Sequence, residues 1–331
     1  MNSKIEISLI DHKSIEEFFL GNELLAVDIV RNALIQRKKG DVILPDKISQ
    51  IFNEDTQERI NCLPATLTSD KICGMKWVSV FPPNTEKGYL NVTGVILISE
   101  LEHGYPIAFI DATYITAIRT AAIGTLAASY LAVTNPKTIG FIGAGQQARM
   151  HFRLMKKQFP TLQVCRVSAG YINSSEEFKK VKKAEFSDVE IEDCGNNYER
   201  AIRDADICVT ATSTQNDLLK AAWIKDKAFY VHVGGWEDEY AVPRKACKIV
   251  CDEWECVKHR TQTISRMYKE GLLKDNDIYA DLADIVVGEK DGRKPDDSFI
   301  YFNSVGMAYI DMAFGREVYK LLKDKSTKFE L

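Results

Sequence analysis

The 331-residue sequence has 8 cysteines but no Cys-X-X-Cys pair. Cys247, Cys251 and Cys256 lie close together, yet their spacing matches no zinc pattern, so no metal centre is expected. The others, Cys62, Cys73, Cys165, Cys194 and Cys208, include several inside apolar runs such as "ICVTATS", and read as reduced thiols of a cytoplasmic protein. No apolar run approaches the roughly 20 residues that span a bilayer. The opening "MNSKIEISLID" has no apolar core of a signal peptide, so none is expected. A large excess of one charge is also missing. The net charge of −4 argues against a nucleic-acid surface, although it leaves room for a local basic pocket. Repeats, low-complexity segments and linkers rich in Gly, Pro or Ser are absent. What is there is ordinary globular material, 45% hydrophobic and 27% charged, enough for one large domain or two ordinary ones.

Periodicity divides the chain. "SIEEFFLGNELLAVDIVRNALIQRKKGD" carries apolar residues at helical spacing and predicts a helix ending at Gly40. "RINCLPATL", "ICGMKWVSVFP", "YLNVTGVILISE" and "YPIAFIDAT" predict strands, the last two forming a hairpin around Glu102–Gly104. Up to about residue 112 the pattern is that of an α+β unit with an antiparallel sheet. The Ala-rich helix "ITAIRTAAIGTLAASYLAV" follows. Short apolar strands then alternate with helices, the mark of a doubly wound parallel α/β sheet. Near the end, "SFIYFNSVGMAYIDMAFGREVYKLLKD" predicts a strand running into a long helix, which is placed to return to the first unit.

One turn in the second part has a specific chemistry. "TIGFIGAGQQARMH" puts Gly143, Gly145 and Ala148 on the GxGxxG/A pattern, after an apolar strand and at the start of a helix. The first glycine permits the tight turn. The second lets backbone approach a pyrophosphate. The small third residue lets helix pack on strand. The helix N-terminus, with its free N–H groups, faces the phosphates. Gly143, Ala144 and Gly145 are therefore expected to bind a nicotinamide dinucleotide. The acid that normally closes the second strand on the ribose is missing from "RVSAGYINSSEE", and no arginine replaces it, so NAD and NADP both stay open.

Three cations stand in apolar surroundings. These are Arg59 at the start of "RINCLPATL", Lys76 in "GMKWVSV" and Arg119 in the Ala-rich helix. A buried cation is costly unless paired, so each is a salt bridge, a snorkelled side chain or a carboxylate anchor. As anchors, arginine offers a bidentate grip and lysine a tunable proton donor.

Together, "GMKWVSVFPPN", "GYLNVTGVILI", "ITAIRTAAI", "IGFIGAGQQA" and "FNSVGMAYIDMA" resemble the ornithine cyclodeaminase/mu-crystallin family in order along nearly the whole chain. That family includes ornithine cyclodeaminases, alanine dehydrogenases, ketimine reductases and opine-type dehydrogenases of siderophore-precursor synthesis, such as N-(2-amino-2-carboxyethyl)-L-glutamate dehydrogenase. The opine type suits the "YPIA" and "RTAA" stretches well. The resemblance implies a Rossmann domain, residues 116–306, inserted in a discontinuous α+β domain, residues 1–115 and 307–331, that binds substrate and forms a homodimer. It implies that Arg59, Lys76 and Arg119 hold the substrate carboxylate. It places Asn91, Thr120, Gln146, Gln147, Thr210, Thr212, Ser213, Gly234 and Ser304 at the cofactor. The implied activity is oxidation or reduction at the C–N bond of an amino or imino acid with NAD or NADP. Ornithine cyclodeaminase and a non-catalytic mu-crystallin-like binder are the alternatives.

The sequence departs from the cyclodeaminases at one segment. They carry an acid in a GGD-C-P-G-K-type stretch, where this chain has "GGWEDEYAVP". Glu237 and Asp238 are the candidate acids for moving a proton at the reacting amine or water, with Lys76 the third catalytic candidate and His232 a lesser one.

Overall fold

A computed structural model describes residues 4–171 and 173–331. In chain order the elements are β1 (Glu6–Ile10), α1 (His12–Phe19), α2 (Leu25–Lys38), β2 (Val42–Ile43), β3 (Ile48–Asn53), β4 (Glu58–Leu67), β5 (Ile72–Val80), β6 (Val92–Glu100), β7 (Pro106–Asp111) and α3 (Thr113–Leu131). Next come β8 (Thr138–Ile142), α4 (Gln146–Gln158), β9 (Val164–Ser168), α5 (Ser174–Glu185), β10 (Glu190–Asp193), α6 (Tyr198–Ile202), β11 (Ile207–Thr210), β12 (Gln215–Leu219), β13 (Phe229–His232) and β14 (Trp236–Asp238). The chain continues through α7 (Ala241–Lys245), β15 (Lys248–Cys251), α8 (Trp254–Val257), α9 (Thr263–Lys269), β16 (Ala280–Asp281), α10 (Leu282–Val286) and β17 (Ile300–Asn303), and ends with α11 (Ala308–Leu322) and β18 (Thr327–Glu330). It divides into two compact units, Met1–Arg119 with Met307–Leu331, and Thr120–Gly306. The first division falls inside α3, after Arg119.

Alternation builds the sheet of the first unit. Lys76 and Val78 in β5, Ile96 and Ile98 in β6, and Ala108 and Ile110 in β7 are buried, while Trp77 and Phe109 between them are exposed. The period of two gives the sheet one covered and one open face. Its order is β18-β1-β7-β6-β5-β4-β2, with β3 also on β4. Its pairs are antiparallel except β1 with β7. Helix α11 lies on β4, β5 and β6 and against α2. A β-carbon on Gly315 would sit 2.8 Å from the Ile98 Cδ1 atom, so this glycine sets how closely α11 approaches the sheet. The single helix expected before Gly40 is in fact two, because Gly21 takes the left-handed φ of +84° just after α1.

The second unit is a Rossmann-type doubly wound sheet. Its order is β10-β9-β8-β11-β13-β17-β15-β16, and every pair is parallel. The strands "ICVT", "FYVH", "KIVC" and "IYFN" are buried along their whole length, as parallel strands covered on both faces are. From β8 the chain winds outward to β10, then returns to β11 on the other side. The switch point between β8 and β11 is where such sheets bind ligands, at the carboxyl ends of the strands. The pair β12–β14, which periodicity does not reveal, follows directly from β11 and β13 in the chain.

Candidate active site

The site residues fall into two groups, one in each unit. In the second unit, β8 delivers the chain to Gly143, whose φ of +107° belongs to the left-handed region. A β-carbon there would lie 2.4 Å from the Ala211 carbonyl oxygen, so only glycine fits against the end of β11. Gly145 has a different task. Its backbone is ordinary, but it is exposed and no atom of the described residues lies within 4 Å of where its β-carbon would be. It opens α4 with no side-chain cap, so the first N–H groups of the helix remain available. Ala148 is fully buried and seats the helix. An open glycine before an uncapped helix at a switch point fits the pyrophosphate of a dinucleotide. Ala144 is buried, Gln146 is exposed, and the Gln147 carbonyl accepts from His151 Nδ1 at 2.9 Å. His151 itself is packed in the interior, where burial pushes it down to about 4 and keeps it neutral.

Thr210 closes β11, Thr212 and Ser213 follow it, Gly234 follows β13, and Glu237 ties three of these four together. Its Oε2 accepts from Thr210 Oγ1 at 2.7 Å and from the Gly234 N–H at 2.8 Å, and its Oε1 from the Thr212 N–H at 2.5 Å. Ser213 is exposed. Ser304 follows β17, where its hydroxyl donates to Asp252 Oδ2 at 3.1 Å. The same carboxylate oxygen accepts the N–H groups of Val305 and Gly306 at 2.8 and 2.7 Å. Burial raises Asp252 to about 6, although these donors favour its charged form.

Glu237 and Asp238 are both fully buried. Glu237 braces the loops after β11 and β13. Asp238 accepts from Thr263 Oγ1 at 2.5 Å. His232 lies between them, 3.4 Å from each, with Nδ1 2.7 Å from the Tyr301 hydroxyl. Burial pushes both acids up and His232 down to about 3, so the low dielectric favours the neutral form of all three.

In the first unit Lys76 and Arg119 converge on an acid that the sequence reading did not single out. Lys76 Nζ lies 2.7 Å from Asp311 Oδ1, and Arg119 Nε lies 3.2 Å from the same oxygen. Lys76 and Asp311 are fully buried and Arg119 is 8% exposed. Two cations thus share one anion, and Asp311 Oδ2 has no hydrogen-bond partner among the described residues. Burial and the Arg119 charge pull Lys76 down to about 8, against the opposing pull of Asp311. Arg59 shares the sheet face of Lys76, because Leu63 pairs with Lys76 and Arg59 lies an even number of residues before it. It stands about 13 Å along the strand from that row, half-buried, with Nη1 donating to the Gln57 carbonyl at 2.7 Å. Asn91 precedes β6, and its carbonyl accepts the Phe81 N–H at 2.8 Å. Thr120 is buried in α3, one residue after Arg119.

Asp311 did carry a signal in the sequence, being the lone acid in the apolar stretch "VGMAYIDMAFG". An acid there must face either solvent or a buried cation. Asp252 is less legible, because "CDEWE" offers three acids and no way to choose between them.

The chain is similar over nearly its whole length to several known proteins. The chain is 29% identical over 320 residues to the alanine dehydrogenase of Archaeoglobus fulgidus, covering 96% of this chain and 95% of that one. It is 25% identical over 325 residues to the N-((2S)-2-amino-2-carboxyethyl)-L-glutamate dehydrogenase of Staphylococcus aureus, covering 95% of each. The solved Δ1-pyrroline-2-carboxylate reductase of Thermococcus litoralis, in complex with NADH and L-proline, superposes with a TM-score of 0.91 at 26% identity, over 98% of this chain and 100% of that one. The family model for ornithine cyclodeaminase/mu-crystallin matches residues 11–326, and the chain belongs to that family.

Proposed function

We propose that the protein is an NAD(P)-dependent oxidoreductase acting on the C–N bond of a small amino acid, imino acid or N-linked amino-acid conjugate. The observation that carries this reading is the buried cluster of Lys76, Arg119 and Asp311. Two cations on one carboxylate leave positive charge in excess, which a substrate carboxylate neutralises. Arg119 provides the planar fork that grips a carboxylate and fixes the orientation of the attached carbon, and Arg59, farther along the same sheet face, is the candidate for a more distant anionic group of the substrate. Lys76, whose proton leaves near 8, is an ammonium that returns a proton to an imine nitrogen and, once deprotonated, accepts one from the substrate amine. A bound nicotinamide dinucleotide supplies the acceptor or donor of hydride. Gly143, Gly145 and the start of α4 hold its pyrophosphate. Thr210, Thr212, Ser213, Gly234 and Ser304 line the carboxyl ends of the strands that carry the rest, with Asn91 and Thr120 as further contacts.

The resemblance to alanine dehydrogenase, to the glutamate-conjugate dehydrogenase and to the proline-bound reductase supports net redox turnover. Eight free thiols fit a cytoplasmic location. The open, apolar face of the first unit's sheet supports a homodimer.

The test is absorbance at 340 nm with NAD or NADP and, separately, alanine, proline, ornithine, arginine and a glutamate conjugate of 2,3-diaminopropionate. Reduced cofactor accumulating with one of them is the expected result. Ammonia and proline from ornithine without net reduction would establish the cyclodeaminase instead. Cofactor binding with no turnover of any kind would leave a binding protein of the mu-crystallin type.

A further inference from the structure

We propose that the dinucleotide site selects the 2′-phosphorylated cofactor, with Arg149 as the phosphate ligand; this rests on the dinucleotide reading above. In doubly wound sheets an acid closing the second strand takes the ribose hydroxyls and repels a 2′-phosphate, whereas a nearby arginine accepts it. Here β9 closes on Ser168, which is fully buried with its hydroxyl donated to the Phe141 carbonyl at 3.2 Å. Residues 169–175 carry no charge. Asp193, at the end of the neighbouring strand β10, is already engaged, accepting the Gly195 N–H at 2.8 Å.

The cation at this place comes from α4. Arg149 Nε donates to the carbonyl of Ala144, the middle residue of the glycine turn, at 3.2 Å. Its Nη2 lies 3.2 Å from Glu177 Oε1, in the first turn of α5. One guanidinium thus reaches from the pyrophosphate turn to the helix that follows β9. These are the two elements that flank the adenosine ribose in a site of this kind. Arg149 is missing from any reading that looks for a 2′-phosphate ligand only after the second strand, because it precedes that strand by 15 residues or more.

Glu177 is the competing group. Its side chain is 63% exposed and that of Arg149 27%, so the pair is wet and weak. A doubly charged phosphate forms the stronger, forked contact and displaces it. Glu176 shares the first turn of α5 and adds to the repulsion that the phosphate meets.

The experiment is a fluorescence titration of the full chain with NADPH and NADH in phosphate-free buffer, for wild type, Arg149→Ala and Glu177→Gln. Wild type is expected to bind NADPH about tenfold more tightly than NADH, or better. Arg149→Ala should lose about tenfold in NADPH affinity while NADH affinity stays within about twofold. Glu177→Gln should bind NADPH more tightly than wild type. An unchanged circular dichroism spectrum and melting midpoint show that each variant is folded. Tighter NADH binding in wild type, or an equal loss of both cofactors in Arg149→Ala, overturns the selection but leaves dinucleotide binding intact. Binding of neither cofactor defeats the dinucleotide reading itself.

Discussion

Lys76 and Asp311 stand 235 positions apart in the sequence and 2.7 Å apart in the first unit, both fully buried. The contact joins the middle of the sheet to the penultimate element of the chain. It exists because α11 lies close on β4, β5 and β6, where Gly315 allows the helix in. Asp311→Ala should leave Lys76 and Arg119 buried without their anion and cost about 3–5 kcal/mol in chemical denaturation. Asp311→Asn keeps the shape but removes the charge, and should cost less. A loss within error for Asp311→Ala would mean that the cluster is hydrated and does not behave as a buried ion group.

The second prediction is a pH profile. Burial and Arg119 favour the uncharged amine of Lys76, so its proton leaves near 8 rather than at the ordinary lysine value of 10.5. Below that pH the group is an ammonium, and above it an amine. Oxidation of a substrate amine needs a base, so its kcat/KM should rise with pH and level off above about 8. Reduction of an imine needs an acid and should fall over the same range. Lys76→Ala should lower turnover by about 10²–10⁴-fold with cofactor affinity unchanged. Lys76→Arg, which cannot deprotonate here, should abolish the limb. A limb that survives in Lys76→Arg belongs to another group.

The two glycines of the turn should separate folding from binding. Gly143→Ala meets both the left-handed φ and the Ala211 carbonyl, so it should destabilise the protein by at least about 1–3 kcal/mol. Gly145→Ala meets no atom of the described residues and should melt like wild type. Its added methyl stands where a pyrophosphate approaches, and dinucleotide affinity should fall by about tenfold or more. Equal melting of both variants would contradict the close approach of β8 and β11.

Most of this fold could be read from periodicity. Alternation in β4 to β7 and the strand–helix alternation after residue 138 depend on local burial, which repeats along the chain. The break at Gly21 was hidden because both halves of that stretch keep helical spacing. Strand β18 escapes periodicity for a different reason. β18 is exposed throughout, so no burial pattern marks it. In the site, the glycine turn and the cations were legible because each breaks the rule of its surroundings. The fate of Glu237 and Asp238 was not. Acids in a loop look solvated until β12–β14 pairing and the ends of β11 and β13 close around them, and those contacts are long-range.

The open face of the first unit's sheet gives the last prediction. Register lines Leu9 up with Phe109, Phe109 with Leu97, and Leu97 with Met75, and in the next row Val95 with Trp77. Leu9, Phe109 and Trp77 are 36%, 43% and 37% exposed on one face of the sheet, on β1, β7 and β5, with Leu97 and Val95 of β6 between the last two. A continuous apolar row of this kind is what a stable interface buries. A single charge placed there remains harmless in a monomer, because the side chain reaches water, but is desolvated without a partner in a dimer. Phe109→Glu combined with Trp77→Glu should therefore shift the protein from dimer to monomer in sedimentation velocity while its far-ultraviolet circular dichroism is retained. A wild type that sediments as a monomer at micromolar concentration, or a double variant that stays dimeric, would move the dimer contact off this face. Loss of activity on dissociation, with NADPH binding preserved, would further mean that the substrate anchors in the first unit depend on the second copy for their geometry.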